Sequence, residues 1–220
     1  MFFGDPPNKL DMGKFITFEG GEGAGKSTQI SLLAKTLKTL NMPVTTTREP
    51  GGSDGAEIIR NLLLDPKSNW DAPTEALLHF AARADHYTTL IRPALKRGEW
   101  VISDRFADST RAYQGYGLGL ALEAIEILYQ ISLGEVEPDL TIILDLPVET
   151  GMARVNAATD SPDRYEQMDT EFHQKLRLGF LKIAENNPER CVVIDAASDI
   201  PTVNLQICRC ISERLKIKIT

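Results

Sequence analysis

Short segments of nearly continuous apolar residues alternate along the chain with longer segments in which apolar residues recur at helical spacing. Five short segments predict β-strands, at residues 15–19, 44–48, 99–104, 140–146 and 191–195. Continuous apolarity is typical of strands that are buried on both faces of a sheet. The alternation therefore predicts an α/β fold, a five-stranded parallel sheet with helices on both faces. Ligands bind such sheets at the carboxyl ends of the strands.

Two of the segments between the strands show a strong helical period. Residues 73–95 place a set of apolar side chains on one helix face, namely Leu77, Phe80, Ala81, Ala84, Thr88, Ile91 and Leu95. Residues 201–215 repeat Val203, Ile207, Ile211 and Leu215 in the same way. Asp199 is suited to cap that second helix, and Pro201 is suited to its first turn.

Composition and charge restrict the class of protein. The chain has 220 residues, 42% hydrophobic and 25% charged, which is typical of a globular protein. The net charge of −7 argues against a nucleic-acid partner, so an anionic ligand needs a focused local site. Without a signal sequence or an apolar run of 18 residues, we expect a cytoplasmic protein that has no membrane partner. Residues 1–12 are predicted to be an N-terminal extension and residues 13–220 a single domain.

A glycine-rich segment follows the first predicted strand. Residues 20–27 match the pattern G-x-x-x-x-G-K-[ST], in which glycines let several backbone N–H groups point at one phosphate. The helix that follows adds the partial positive charge of its N-terminus. Lys26 would reach the outer phosphates of a nucleotide, and the Ser27 hydroxyl can bind Mg²⁺. The predicted ATP-binding residues here are Gly20, Gly21, Glu22, Gly23, Ala24, Gly25, Lys26, Ser27 and Thr28.

An Mg²⁺ ion at such a loop also requires an acidic residue near the end of a strand. Asp104 and Asp145 both lie at such positions. We favour Asp104 because Arg105 follows it, which would pair a metal-binding acid with a phosphate-binding cation. For Asp145, capping of a loop or helix is an equally good interpretation. The three histidines lack the spacing of metal ligands and are interpreted as structural or surface groups, namely His79, His86 and His173.

The phosphate-binding loop predicts nucleotide binding but not the reaction. A GTPase would carry Asp-x-x-Gly downstream of the loop, which does not occur, and Asn-Lys-x-Asp on a late strand. Residues 8–11 read Asn-Lys-Leu-Asp, but they precede the loop, so we interpret this match as accidental. A motor or a large ATPase would need a longer chain. These exclusions favour a small phosphotransferase.

Over residues 13–215 the chain resembles the bacterial thymidylate kinases, a family of P-loop nucleoside monophosphate kinases. The motifs that carry the resemblance occur in the family's order, as Phe18-Glu19-Gly20, Arg48-Glu49-Pro50-Gly51-Gly52, Leu78-His79-Phe80-Ala81-Ala82-Arg83, Asp104-Arg105-Phe106, Ser109 with Ala112-Tyr113-Gln114-Gly115, and Asp163-Arg164. The resemblance implies a three-layer P-loop NTPase fold, a homodimer, and phosphorylation of dTMP to dTDP by Mg²⁺-ATP in dTTP synthesis. The alternatives are a related kinase for dUMP, CMP or a deoxynucleoside, and a nucleotide-binding regulatory module without catalysis.

The resemblance also implies which residues act on the phosphates. Lys26 and Arg105 would contact the phosphates that move, and Glu22 would lie near the acceptor. Arg48 and Pro50 would meet the phosphate of dTMP, since the rigid turn after Arg48 can hold a guanidinium for bidentate contact. No covalent intermediate is needed, because positioning and charge neutralisation carry such reactions.

A second set of residues is implied to bind the nucleoside of dTMP. Phe80 would stack on the thymine and Arg83 would bond its exocyclic oxygen, although periodicity alone favours Phe80 as a core aromatic. Gln114 could meet the edge of the base, because an amide both donates and accepts. Tyr113 would crowd the sugar 2′ position and favour deoxyribose, and Ser109 would lie near the sugar and base.

The family supplies an arginine to the phosphates either from the loop or from a lid. This loop has none, so we expect the lid at about residues 155–165 to provide one, although residues 155–163 contain no basic side chain. We predict that Arg164 closes over the phosphates and that Arg154 lies nearer the adenine or its phosphates. The alternative for Arg164 is an ion pair with Glu166 at a helix start.

Overall fold

The sheet contains five parallel strands in the order β2-β3-β1-β4-β5, in a computed structural model that describes residues 13–158 and 163–219. The strands are β1 (Phe15–Glu19), β2 (Val44–Arg48), β3 (Trp100–Asp104), β4 (Leu140–Asp145) and β5 (Cys191–Asp195). The predicted strands and the parallel sheet are thus confirmed, with two strand ends shifted by one residue. The predicted extension at residues 1–12 lies outside the described residues.

Helices lie on both faces of the sheet, as the alternation predicts. Their bounds are α1 (Lys26–Thr39), α2 (Asp54–Leu64), α3 (Ala72–His86), α4 (Arg92–Lys96), α5 (Ala107–Thr110), α6 (Leu122–Leu133), α7 (Val148–Ala158), α8 (Thr170–Asn186) and α9 (Ile200–Leu215). Two π-helical segments extend this set, Tyr87–Ile91 between α3 and α4, and Arg111–Gly117 after α5. No helix in the described ranges is long and apolar enough to cross a membrane.

Alternating side chains of the strands build a separate core on each face of the sheet. Ile16 and Phe18 of β1 are buried in the cluster that includes α1 and α9. Phe15 of the same strand belongs to the opposite cluster, with side chains of α3, α4 and α6. Side chains on a strand alternate between faces, so one short apolar strand contributes to both layers. This burial fixes β1, and with it the position of the loop that follows.

The helix face predicted for residues 73–95 is partly wrong. A π-helical segment separates α3 from α4, and Leu77 of the predicted apolar face is 55% exposed. The buried face instead carries Glu75 and Arg83, which are fully or almost fully buried. Charged side chains can be buried when each has a partner of opposite charge, and apolar periodicity does not detect such positions.

The second periodic segment agrees with the prediction. Asp199 caps α9, because its Oδ1 accepts a hydrogen bond of 2.8 Å from the backbone N–H of Thr202. Val203, Ile207 and Ile211 are buried against the sheet. Here the apolar period and the cap signal both point to the helix that forms.

Candidate active site

Most of the predicted site residues line one cavity of about 580 Å³ at the carboxyl ends of β1, β2 and β3. Those that line it are Glu22, Gly23, Ala24, Gly25, Lys26, Ser27, Thr28, Arg48, Pro50, Arg83, Asp104, Arg105, Ser109, Tyr113, Gln114 and Arg154. The predicted residues outside this lining are Gly20, Gly21, Phe80 and Arg164. The location agrees with the rule for ligands on parallel sheets.

The glycine-rich loop joins β1 to α1 with three glycines at positive φ, namely Gly20, Gly23 and Gly25. Lys26, the first residue of α1, turns back over the loop, and its Nζ donates to the carbonyls of Gly20 and Gly21 at 3.2 and 2.9 Å. Burial lowers the pKa of Lys26, and so does the nearby Arg105 charge. The Lys26 ammonium therefore lies within the loop. A bound phosphate group would replace the two carbonyls as its hydrogen-bond partner.

The loop also packs very closely against α7. A Cβ added at Gly23 would lie 2.2 Å from the carbonyl oxygen of Gly151, and one added at Gly151 would lie 2.3 Å from that of Glu22. Contacts this short between a Cβ and backbone oxygen do not occur, so both positions require glycine. Backbone therefore meets backbone where α7 crosses the loop.

The structure places Ser27 beside Asp104, the aspartate that the sequence favours as the Mg²⁺-binding acid. The Ser27 hydroxyl donates to Asp104 Oδ2 at 2.9 Å, across the gap between α1 and β3. Asp145 instead pairs with Arg177, whose Nε and Nη2 lie 2.7 and 2.9 Å from its two oxygens. Asp145 does not line the cavity. The oxygen atoms suited to Mg²⁺ at the loop are therefore those of Ser27 and Asp104.

Arg105 is held between the loop and Glu22. Its Nη1 donates to the Gly20 carbonyl at 3.1 Å, and its Nη2 lies 2.9 and 3.1 Å from the two carboxylate oxygens of Glu22. The guanidinium also lies 5.0 Å from the centroid of the Tyr113 ring, whose hydroxyl donates to Glu22. Burial alone would raise the pKa of Glu22, but the Arg105 and Lys26 charges lower it to about 2. Glu22 is thus an anion that fixes Arg105.

Glu19 at the end of β1 is a buried carboxyl group that our sequence analysis did not select. The backbone N–H of Phe106 donates to its Oε1 at 2.8 Å, and the Ser109 hydroxyl donates to its Oε2 at 2.6 Å. Burial, and then the charge of Asp108, raise the pKa of Glu19 to about 7. Glu19 thereby anchors the chain on both sides of the turn that follows Arg105. A charged residue at the end of an otherwise apolar strand was the available signal.

The turn after β2 brings Arg48 and Pro50 to the cavity together with a cation that was missed. Arg48 is half exposed, and its Nη2 lies 3.0 Å from both carboxylate oxygens of Glu57. Arg60 of α2 also lines the cavity and donates from Nη1 to the carbonyl of Pro50 at 2.6 Å. Arg60 occurs in none of the motifs, so only the packing of α2 against the turn identifies it.

Arg83 reaches the cavity from α3 but is largely committed to the protein. Nε donates to Glu49 Oε2 at 2.6 Å, Nη1 to the Thr110 hydroxyl at 3.1 Å, and Nη2 to the Phe106 carbonyl at 3.0 Å. A guanidinium has five N–H groups, so two remain for a ligand. Arg83 therefore combines a structural role with a restricted capacity to bind.

Phe80 lies in the core and not in the cavity, which corrects the prediction that its ring meets a ligand. It is 3% exposed, and its ring packs edge-on against Tyr129 with centroids 6.3 Å apart. The guanidinium of Arg83 lies 4.9 Å from the ring centroid. The core alternative that periodicity favoured is the one observed.

His79 precedes Phe80 on α3, and its side chain lines the cavity whereas that of Phe80 does not. We interpreted it as structural or surface, so its position is a second correction. Its Nε2 lies 3.2 Å from the Tyr165 hydroxyl. Burial, followed by the nearby Arg83 charge, lowers the pKa of His79 to about 3. The imidazole is therefore a neutral, flat ring at physiological pH.

Gln114 reaches the cavity from the second π-helical segment and belongs to a buried polar group around Glu75. Its Nε2 donates to Glu75 Oε2 at 2.9 Å, and the Tyr165 hydroxyl donates to the same oxygen at 2.9 Å. Glu75 and Gln114 are both 0% exposed. Glu75 and Tyr165 were not selected from the sequence, because their partners are distant along the chain.

The two lid arginines take different partners. Arg154 of α7 lines the cavity and donates from Nη1 to the Gly23 carbonyl of the loop at 3.2 Å. Arg164 does not reach the loop; it forms an ion pair with Glu75. The alternative, an ion pair with Glu166, does not form: Arg164 pairs with Glu75, and Glu166 Oε2 accepts from the backbone N–H of Asp163 at 2.8 Å. Residues 159–162 of the predicted lid lie outside the described residues.

Comparisons with known proteins consistently find one family. The family model for thymidylate kinase matches residues 18–207. A thymidylate kinase of Rhodopseudomonas palustris (strain ATCC BAA-98 / CGA009) is 52% identical over 214 residues, which cover 96% of this chain and 93% of the relative. One from Nitrobacter hamburgensis is 51% identical over 216 residues, with coverages of 96% and 94%. The crystal structure of thymidylate kinase from Ehrlichia chaffeensis superposes with a TM-score of 0.75 at 38% identity, covering 91% of this chain and 98% of that one.

Proposed function

This chain belongs to the thymidylate kinase family and phosphorylates dTMP to dTDP with ATP as the donor, and we propose how its residues divide that reaction. The observation that carries the proposal is that Lys26, Arg105 and the Ser27–Asp104 pair line the same cavity as Gln114 and His79. One end carries cations and loop N–H groups for phosphates. The other end carries an amide and a flat ring for a base.

The phosphate-binding loop is proposed to hold the donor. Backbone N–H groups of the loop surround the outer phosphates, and Lys26 leaves its two carbonyl partners to bind them. Ser27 and Asp104 offer hard oxygen atoms 2.9 Å apart, which fits Mg²⁺, an ion that completes its shell with phosphates and water. When bound, Mg²⁺ would neutralise negative charge on the donor phosphates.

The acceptor phosphate is proposed to lie between Arg105 and the turn after β2. An oxygen of the dTMP phosphate attacks the γ-phosphorus in line, and the bond from that phosphorus to the bridging oxygen of ADP breaks. Arg105 is already oriented by Glu22, and Arg48 and Arg60 line the same part of the cavity. A fixed guanidinium needs little reorganisation as charge develops, which is the main source of rate in such transfers.

The nucleoside of dTMP is proposed to lie against α3 and the second π-helical segment. His79 presents the neutral ring that the resemblance had assigned to Phe80. Gln114 meets the edge of the base, and the two remaining N–H groups of Arg83 can donate to it. Tyr113 and Ser109 are assigned to the sugar. The Tyr113 hydroxyl donates to Glu22, the partner of Arg105, and the Ser109 hydroxyl donates to Glu19.

The lid and the domain extent remain part of the proposal. Arg154 already contacts the loop, whereas Arg164 would have to leave Glu75 to reach the phosphates as we predict. Closure of a lid excludes water from the transferred group, so that ATP is not hydrolysed. We propose residues 13–220 as one kinase domain with a lid at about 155–165.

A homodimer is also proposed, on the evidence of apolar side chains that lack cover. Leu77 on α3 and Ile127 and Ile131 on α6 are 55%, 61% and 72% exposed, and these two helices pack against each other. Large exposed apolar side chains in one region are typical of an interface. Light scattering on the purified protein would then give the mass of two chains. We place the enzyme in the cytoplasm, where its substrates are made.

ADP release with Mg²⁺-ATP against a panel of monophosphates tests the function, with the variant K26A as the blank. The expected result is turnover on dTMP that exceeds turnover on dUMP, CMP and AMP and that is lost in the blank. Strong turnover on a different acceptor would keep the phosphate chemistry and reject the assigned base site. Binding of ATP without turnover on any acceptor would favour a regulatory module.

A further inference from the structure

Glu75 is a fully buried carboxylate on α3 that no step of the proposed reaction uses. Its Oε2 accepts hydrogen bonds from Gln114 Nε2 and from the Tyr165 hydroxyl, each at 2.9 Å, and its Oε1 forms an ion pair with the guanidinium of Arg164. A buried carboxylate is costly unless it is paired and hydrogen-bonded, so this cluster must be formed when the chain folds.

The carboxylate dictates which way the Gln114 amide faces. A carboxylate paired with a guanidinium only accepts hydrogen bonds, so Gln114 must turn its NH₂ toward Glu75. The reverse orientation would bring the amide oxygen against a carboxylate oxygen, two acceptors with no proton between them. The Gln114 NH₂ also lies 3.3 Å from the Tyr165 oxygen, whose own proton goes to Glu75. The contact with Glu75 therefore fixes the amide orientation, and the longer contact with Tyr165 is compatible with it.

The consequence is an acceptor left free in the cavity. Gln114 lines the cavity, and its Oε1 is buried without a hydrogen-bond partner among the described residues. Buried polar atoms in proteins almost always have partners, so an unpaired carbonyl oxygen in a binding cavity points to a donor on the ligand. The pocket thus offers an acceptor, and not a donor, to whatever lies there.

We infer that Glu75 is a positioning residue that sets base specificity, because it fixes Gln114 Oε1 as an acceptor for the ring N–H at position 3 of thymine or uracil. The inference rests on the proposed function for the assignment of a pyrimidine to this cavity. Cytosine has an unprotonated nitrogen at position 3, so it would place acceptor against acceptor. A site whose polar group is left unpaired by the wrong ligand discriminates strongly against it.

A merely structural Glu75 would behave differently from a positioning one. If it only anchored Arg164 and Tyr165 near the lid, its replacement would lower the melting temperature or kcat for all acceptors alike. The ratio of kcat/KM for dTMP to that for dCMP isolates the positioning role. Both substrates carry the same sugar and phosphate and react under the same lid, so they differ only in the base. The ratio for dTMP over dUMP is an internal control, because both bases carry the N–H.

The main test is the variant E75Q, in which a side-chain amide can face Gln114 with either its oxygen or its nitrogen. We expect the dTMP to dCMP ratio to fall by at least about tenfold, with the dTMP to dUMP ratio unchanged. Y165F is the matched control, since it removes one hydroxyl from the same cluster but leaves the Glu75–Gln114 contact. Its dTMP to dCMP ratio should stay within about twofold of the wild-type ratio.

The double variant E75Q/Q114E provides a rescue. The new amide at position 75 can donate to the new carboxylate at position 114, whose second oxygen again offers an acceptor to the base. We expect this variant to recover most of the dTMP to dCMP ratio that E75Q loses. A structural defect at position 75 would not be repaired by a change at position 114.

The outcomes separate this inference from the proposed function. Wild-type enzyme without turnover on dTMP would reject the function, whatever the variants do. A selective wild type with an equally selective E75Q would overturn the role of Glu75 alone. If E75Q is too unstable to assay, the double variant decides: the exchanged pair still fixes an acceptor toward the base, so it should keep most of the wild-type dTMP to dCMP ratio. A double variant that folds and binds dTMP but has a ratio near one would overturn the inference.

Discussion

The two ends of the cavity are built in different ways. The phosphate end is built around consecutive residues, Gly20 to Thr28, which form one loop and the first turn of α1, and the end of β3 adds the adjacent pair Asp104 and Arg105. The base end takes Glu75, Gln114 and Tyr165 from three separate parts of the chain, up to 90 residues apart. The loop acts through its backbone, so its pattern is visible locally. The base end acts through side chains that meet only after folding, so it leaves no local pattern.

The largest expected effect tests the phosphate end. R105Q should lower kcat by about 10³-fold or more, because it removes a fixed cation from the transferred phosphate. R97Q is the matched control, since Arg97 is an exposed arginine that pairs with Glu99 outside the cavity. Steady-state ADP release measures both variants. A loss of less than tenfold in R105Q, with R97Q unchanged, would remove Arg105 from the reaction.

A smaller effect is expected at the base end, where the ring of His79, and not that of Phe80, lines the cavity. H79A should raise KM for dTMP about tenfold with little change in melting temperature, because it removes a ring from the cavity wall. F80L should show the opposite pattern, a lower melting temperature with KM nearly unchanged, because it alters a packed core. Kinetics and thermal denaturation of both variants decide the point. The reverse pattern would restore Phe80 as the ring that meets the base.

Arg164 pairs with Glu75 at the base end and is predicted to move to the phosphates, so it can be tested alone. If Arg164 leaves Glu75 to close over the phosphates, R164A should cut turnover at least about tenfold. R164K should recover part of that loss, since it keeps the charge without the guanidinium fork. An unchanged turnover number in R164A would limit Arg164 to its pair with Glu75.

The smallest effect is a pH dependence of stability that differs in sign between two carboxyl groups of the loop region. Glu22 has its pKa lowered from 4.5 to about 2, so its stabilising contribution is complete above about pH 4.5 and is lost as the pH falls toward 2. Glu19 has its pKa raised from 4.5 to about 7. The folded protein keeps that proton while the unfolded chain loses it, so its contribution is complete below pH 4.5 and is lost as the pH rises to 7.

Melting temperatures from pH 3 to pH 8 for the wild type, E22Q and E19Q measure both contributions. The melting temperature of E22Q should fall less in acid than that of the wild type. The melting temperature of E19Q should fall less than that of the wild type between about pH 5 and 7. Differences of a few degrees are expected for a chain of this length. Parallel curves for all three proteins would show that neither carboxyl group is shifted as described.

The sequence predicts the sheet well because parallel strands buried on both faces leave continuous apolar segments. It fails on α3, where Glu75 and Arg83 are buried by pairing while Leu77 is exposed. The same cause hides the base end, since a polar residue buried through a distant partner looks like a surface residue in the sequence. His79 and Phe80 are adjacent and both carry a flat ring. Only the rotation of α3 about its axis decides which ring reaches the cavity.

The facing glycines, Gly23 and Gly151, restrict how this enzyme can be changed. A Cβ at Gly23 would collide with the backbone of Gly151, and one at Gly151 with the backbone of Glu22, so a side chain at either position would push α7 away from the glycine-rich loop. Directed evolution of the lid therefore has little freedom in the first turn of α7, where any displacement would be transmitted to the nucleotide. Tolerated substitutions in that helix should concentrate after Gly151, and random libraries that spare the pair should retain the most active clones.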